Sequence, residues 1–292
     1  MKERASADRS HLHAPAAQAP SLREALVVGA VLGACGWALR EGPAAEESPP
    51  CGIPRVRATD ALAWRRPPPT PLILAPFRAN GRFAARTERA SLLEAFGDSR
   101  VLLTSSNSYS EHELASTLRD YVVDHVPRHG DPGAAANESF YLFGPTFDAD
   151  LAALVDSYAN PACGGAWCAP DAFAASFGLA GRRSGVSFHT HGSGFGEVLH
   201  GRKRWVLYPP GDDAPPGFDP DRSTADWVET VLPTLDAADR PAFDCVLGAG
   251  ELLYFPPQWW HATLNLDEHT VFVSSFASDG AGAADDDEGA WT

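Results

Sequence analysis

The chain has 292 residues, room for one large β domain with an extension or for two smaller domains, and 44 % of them are hydrophobic, which sustains a sizeable core. Its formal net charge is −15. That balance argues against nucleic acid as the main partner, because phosphate binding needs a basic surface.

Residues 1–48 are read as a signal segment with a linker. Residues 25–39 carry no charge, Lys2, Arg4, Arg9 and Arg23 precede them, and a Pro-rich, small-residue stretch follows. This is the pattern of a signal peptide with a long basic leader. The run is short against the roughly 20 apolar residues of a spanning helix. An uncleaved signal anchor is the alternative, and the one membrane attachment the sequence suggests. Either delivers the rest of the chain to a lumen. Asn137-Glu138-Ser139 is an acceptor sequon, so Asn137 is an expected glycosylation site. Cys35 lies inside the apolar run; Cys51, Cys163, Cys168 and Cys245 remain, an even number in an oxidising compartment. Cys163 can pair with Cys168 across a Gly-Gly loop, leaving Cys51 for Cys245. The other reading is four independent buried thiols.

Residues 49–170 read as an N-terminal extension of helices and strands. Pro, Ala and Arg are frequent over 40–70, the mark of a linker or extended arm. Residues 71–74 form a short apolar strand, 86–96 a helix stopped by Gly97, and 101–103 a strand. Ser110-Glu111-His112-Glu113 is a capping box, predicting a helix to about His125 with Leu114, Leu118, Tyr121 and Val122 on one face. A strand over 140–143 and a helix capped by Asp148 follow. Over 171–277 the pattern changes to short strands at 173–179, 186–191, 197–208, 243–247, 252–255 and 270–276, broken by Gly, Pro and Asp, with a helix over 224–231. Helices followed by many short antiparallel strands describe a mainly β fold, a barrel with an N-terminal helical buttress. Residues 278–292 hold the charge run Asp285-Asp286-Asp287-Glu288 and are expected to be disordered.

Two histidine blocks carry the chemistry. His189 and His191, at i and i+2 on a strand, share a face, and His261 on a distant strand can close a metal site from the opposite wall. Taken as one strand, residues 197–207 place Glu197, Leu199, Gly201, Lys203, Trp205 and Leu207 on one face. A buried carboxylate and a buried ammonium are costly unless paired or bound to something. Glu197 then meets both histidines across the Gly192-Ser193-Gly194 link. Asn265 is read as fixing a local turn or as an outer contact behind the ligands. His200 reads as a solvated surface residue. No nucleophile triad, phosphate loop or zinc-finger spacing is present.

Gly250, Pro256, His261 and Asn265 match the spacing of the second metal-binding motif of cupins, with Gln258 where that motif has a glycine. Gly201-Arg202-Lys203-Arg204-Trp205-Val206-Leu207-Tyr208-Pro209-Pro210, Gly250-Glu251-Leu252-Leu253-Tyr254-Phe255-Pro256 and Trp259-Trp260-His261 resemble the JmjC family of the cupin superfamily. The resemblance implies a double-stranded β-helix (jelly roll) and residence in the endoplasmic reticulum lumen. It further implies an Fe(II)/2-oxoglutarate dioxygenase acting on proteins, with His189 as first ligand, His261 as last, and Lys203 pairing with the far carboxylate of 2-oxoglutarate. The departure is His191, which stands where the family has a carboxylate. Three repairs are open: Glu197 supplies the carboxylate, a three-histidine site binds iron or another divalent metal, or the site is degenerate. The rival functions are accordingly a JmjC-fold scaffold or regulatory binding protein without turnover, and a cupin metalloenzyme that does not use 2-oxoglutarate.

Overall fold

The computed structural model describes residues 51–61, 63–75, 79–106, 112–130, 139–144, 148–160, 167 and 173–277. The apolar run at 25–39, the sequon at Asn137, Cys163, Cys168 and the acidic tail lie outside them.

The strands, in chain order, are β1 (Arg55–Val56), β2 (Leu72–Leu74), β3 (Arg100–Ser105), β4 (Glu113–Thr117), β5 (Phe140–Gly144), β6 (Phe173–Ala180), β7 (Gly194–His200), β8 (Arg202–Tyr208), β9 (Phe243–Gly248), β10 (Glu251–Phe255), β11 (Trp260–Asn265) and β12 (Thr270–Ala277). Nine form one sheet in the order β1-β2-β10-β7-β12-β6-β5-β3-β4; a second sheet runs β11-β8-β9. Ring contacts such as Trp205 with Phe255, 5.8 Å between centroids, join the inner faces of the two sheets. This is the jelly-roll architecture the sequence predicts. β2 pairs with β10 and β5 with β6, so strands of the extension are built into the same sheet as the barrel.

The outer face of the large sheet carries the helical buttress. Its short helices, in chain order, are α1 (Ala58–Ala61), α2 (Gly81–Thr87), α3 (Arg89–Phe96), α4 (Leu118–Asp120) and α5 (Ala149–Val155). Phe83 of α2, Leu92 and Phe96 of α3, and Leu151, Leu154 and Val155 of α5 pack with Phe177, Leu179, Leu199, Val271 and Val273 of the sheet. β7 is therefore buried on both faces along most of its length. Its inward positions Gly194 and Gly196 have no side chain for a reason. A Cβ there would come within 2.3 Å of the Phe255 ring and 2.5 Å of the Trp205 ring.

Over 186–191 the expected strand is an extended arm whose single bridge is His189 with His261, and two further elements differ from the sequence expectation. The helix predicted to start at the capping box begins later: Ser110 and Glu111 lie outside the described residues, and Glu113–Thr117 is strand β4, paired with β3. The Thr117 hydroxyl caps α4 by accepting from the Asp120 N–H at 3.1 Å, and the helix continues as a wide π turn over Tyr121–His125. Pairing with β3 is a non-local gain that a four-residue capping pattern cannot reveal. Second, the strand read as continuous over 197–208 breaks at Gly201, whose φ of +72° turns the chain from the large sheet to the small one. A Cβ at Gly201 would meet the His269 carbonyl oxygen at 2.7 Å.

Cys51 and Cys245 form a disulfide across 194 residues of sequence, tying the start of the fold to β9. Closing a loop of that length restricts the unfolded chain by about 5 kcal/mol in the loop-entropy picture. Among the described residues no helix is long and apolar enough to cross a membrane.

Candidate metal centre

After β6 the chain runs extended beside β11. The Asn265 N–H donates to the Ser184 carbonyl and the Thr263 N–H to the Val186 carbonyl, both at 2.8 Å. His189 and His261 then exchange a pair of backbone hydrogen bonds at 3.0 and 3.2 Å. Between these contacts the pairing slips by one residue, as in a β-bulge, a common device for re-aiming side chains at sites. Beyond, the Gln258 N–H donates to the His191 carbonyl at 2.8 Å. Gln258 has φ +63°, which explains why the motif favours glycine at this position.

This arm and β11 bring His189, His191 and His261 together. Ring centroids lie 5.4 Å apart for His189–His191, 4.1 Å for His189–His261 and 4.7 Å for His191–His261. One ring nitrogen from each lies within 4.8 Å of the others, a grouping able to hold a metal ion. In every ring Nδ1 faces a backbone carbonyl: His189 that of Ser187 at 2.7 Å, His191 that of Gly192 at 2.8 Å, His261 that of Trp259 at 2.8 Å. A carbonyl only accepts, so Nδ1 carries the proton and Nε2 keeps its lone pair. Burial pushes the His189 imidazole down to about 4, helped by the His191 charge. Burial lowers His191 as well. It holds His261 well below the usual range, with His189 and His191 adding to the effect. Neutral, singly protonated imidazole is the form that ligates metal. The donor set therefore fits a transition-metal ion. Phe255 stands 4.3 Å from the His261 ring, and Phe276 stands 4.8 Å from His191. Trp205 stacks on His261 at 6.1 Å.

Glu197 is not with the histidines. Its carboxylate lies on the opposite face of β7, 2 % exposed, and one oxygen accepts from Asn80 Nδ2 at 2.9 Å and from the Tyr158 hydroxyl at 2.8 Å. Counting parity through Gly201 reverses it, since a break of one residue turns every side chain over. Burial raises its pKa, while the hydrogen bonds from Asn80 and Tyr158 oppose the shift.

Lys203 does face inward. It is 1 % exposed, with Nζ donating to Asn265 Oδ1 at 3.2 Å and lying 3.6 Å from the Phe272 ring centroid. Burial holds its pKa well below the usual lysine range. A buried ammonium against an amide and a ring face, with neither contact an anion, fits a site that receives a carboxylate. Asn265 also donates to the Ser184 carbonyl at 2.9 Å, so it joins Lys203 to the arm that carries the histidines. His200, expected in solvent, is half-buried, and its Nε2 meets the Ala84 carbonyl of α2 at 2.8 Å. Sequence reasoning misses Phe255 and Phe276 beside the histidines, and Asn80 and Tyr158 as the partners that hold Glu197 away from them; apart from Phe255, six residues before His261, these contacts are long-range.

The model of the JmjC domain matches residues 196–280. Among curated proteins, JmjC domain-containing protein 8 of Homo sapiens is 43 % identical over 206 residues, 70 % of this chain and 75 % of that protein. The arginine-specific demethylase JMJ22 of Arabidopsis thaliana is 30 % identical over 174 residues, 52 % of this chain and 33 % of that protein. The bifunctional arginine demethylase and lysyl-hydroxylase psr-1 of Caenorhabditis elegans is 33 % identical over 107 residues, 32 % of this chain and 26 % of that protein. Lys203, His261 and Asn265 fall inside the matched domain, and likeness across three quarters of a relative's length goes beyond a shared local motif: the chain belongs to the JmjC domain family.

Proposed function

We propose that the chain is a lumenal, metal- and 2-oxoglutarate-dependent oxygenase that modifies a protein side chain. The observation that carries this reading is the set of three backbone carbonyls that fix the tautomers of His189, His191 and His261. When bound, Fe(II) and 2-oxoglutarate would let O2 act as the oxidant, one oxygen atom entering a substrate C–H bond to give C–OH while 2-oxoglutarate is oxidised to succinate and CO2. The residues do the rest. The three imidazoles hold the metal, Lys203 receives the far carboxylate of 2-oxoglutarate while Asn265 Oδ1 positions its Nζ, and Phe255, Phe276 and Trp205 exclude water from the metal side. The relatives named as arginine demethylases and a lysyl-hydroxylase support a protein substrate.

Residence in the endoplasmic reticulum lumen is supported by the charge-free run at 25–39 behind a basic leader, by the sequon at Asn137 and by the Cys51–Cys245 disulfide, a bond rare in reducing compartments. Histone modification does not suit that compartment. The test is an anaerobic Fe(II) titration of the full chain, with and without 2-oxoglutarate, followed by visible absorption. A charge-transfer band that needs both components supports the reading; absence of the band with both present removes 2-oxoglutarate from it.

The histidine at the family's carboxylate position favours a second reading, a scaffold that binds partners without turnover. His261→Ala separates the two: a scaffold keeps its partner binding and cellular effect, an oxygenase loses its effect.

A further inference from the structure

We propose that the Cys51–Cys245 disulfide is a redox control on the metal centre: thiol–disulfide exchange with a dithiol reductant at Cys51 loosens His261 and weakens metal binding. The inference rests on the reading of the histidine cluster given above and adds a modification site to it.

The bond lies in the barrel wall. On β9, Cys245 is opposite Trp205 of β8, and Phe243 is opposite Leu207, which is itself opposite His261 of β11. Cys245, Trp205, Leu207, Phe255 and Trp259 share one buried cluster with Ile53, and Cys51 and Phe243 pack against it.

Two routes of contact run from the disulfide to His261. The first passes from Cys245 to Trp205, whose ring stacks on His261 at 6.1 Å. The second passes through Gly52, where a Cβ would meet the Phe243 ring at 3.5 Å. Phe243 stacks on Trp259 at 5.7 Å, and the Trp259 carbonyl fixes His261 Nδ1. Metal–ligand distances hold within about 0.2 Å, so a small displacement of that one imidazole counts.

The two cysteines are not equally open. Cys245 is fully buried and Cys51 half-buried, so a thiolate reaches Cys51 Sγ. The Cys51–Cys245 bond breaks, Cys245 leaves as a thiolate and takes a proton, and Cys51 forms a mixed disulfide with the reductant. The reductant's second thiol then displaces Cys51, which also ends as a thiol. Two electrons and two protons pass to the chain, and the dithiol becomes a disulfide. Two unbonded sulfurs need more room than a bonded pair, and Cys245 has little in a close-packed wall. Either the segment at Cys51 and Gly52 moves off Phe243 or the Trp205 wall shifts, and both routes end on His261. By linkage, whatever the disulfide adds to metal affinity, bound metal adds to the resistance of the disulfide to reduction.

The experiment is Mn(II) titration, read from the loss of the free-ion paramagnetic signal. It compares the full chain in its disulfide form with the chain reduced by a phosphine and desalted under argon. Peptide mapping verifies that Cys51 and Cys245 are free thiols, and circular dichroism that the fold is kept. Mn(II) is used because thiolates prefer softer ions. The expected result is binding at least about fivefold weaker in the reduced chain and in Cys51→Ser, with Mn(II)-saturated chain resisting dithiothreitol by the same factor. Phe243→Leu keeps the bond and cuts the second route, so its disulfide form should bind Mn(II) more weakly and show a smaller redox factor. That variant decides the matter where the reduced chain and Cys51→Ser unfold: unchanged Mn(II) affinity in its disulfide form then overturns the control. Equal affinity in folded disulfide and reduced chains also overturns it and leaves the metal centre standing. No Mn(II) binding in either form removes the metal reading, and the control with it.

Discussion

Replacing Glu197 by alanine separates a structural carboxylate from a metal ligand. The carboxylate accepts from Asn80 Nδ2 and from the Tyr158 hydroxyl, and both partners are buried. Asn80 keeps a second acceptor, the Ala159 carbonyl at 2.9 Å, so its amide loses one of two bonds. Tyr158 loses the acceptor of its hydroxyl. One orphaned buried donor costs about 1–3 kcal/mol. The space left between β7 and α2 adds a packing loss, for a total near 3 kcal/mol. For a domain of this size that lowers the melting temperature by roughly 6–12 °C. Glu197→Gln keeps the shape and one acceptor, and it removes a buried charge, so it should change stability by about 1 kcal/mol or less at neutral pH. The sign with pH follows from the raised pKa: the folded state binds this proton more readily than the unfolded chain. The charged form thus weakens the fold above the folded pKa, and the relative benefit of glutamine fades as pH falls through it. The assay is urea unfolding of both variants across pH, with Mn(II) affinity measured alongside. If Glu197→Gln leaves stability alone but weakens metal binding more than about tenfold, the carboxylate is a ligand and the reasoning is refuted.

Further outcomes follow from the same structure. Gln258 stands at φ +63°, so Gln258→Gly should stabilise the chain by about 0.5–1 kcal/mol in denaturant melts, and a loss would show that the Gln258 side chain makes contacts that matter. Cys51→Ala, or reduction of the Cys51–Cys245 bond, should cost about 2–5 kcal/mol, read as a lower urea midpoint that reductant no longer shifts in the variant. Burial pushes the His129 imidazole down to about 4, with the neighbouring His125 helping. Its depressed folded pKa makes the chain lose stability as pH falls from about 6.5 to 4, by up to about 3 kcal/mol, and His129→Leu should flatten that slope in pH-dependent unfolding.

The jelly roll and the histidine cluster are legible in the sequence because both leave local spacing patterns. Spacing picks out His189, His191 and His261 together with Glu197, and only the fold separates the three that meet from the one that does not. Parity also turns Lys203 inward correctly. It fails for Glu197, although the sequence carries a warning: Gly201 is the residue type that admits the φ of +72° at which the strand ends and parity restarts. β4 is hidden for another reason. Glu113–Thr117 alternates poorly and follows a helix-start pattern, and only its pairing with β3 makes it a strand. The buttress contacts of Asn80 and Tyr158 span 117 and 39 residues to Glu197, distances at which one sequence carries no signal.

The most direct test of the central claim, a metal held by His189, His191 and His261 and not by Glu197, is the visible spectrum of the Co(II)-loaded chain. Ligand-field bands should appear on titration, vanish in His261→Ala, and stay unchanged in position and intensity in Glu197→Gln. Bands that survive His261→Ala, or that shift in Glu197→Gln, would contradict the account.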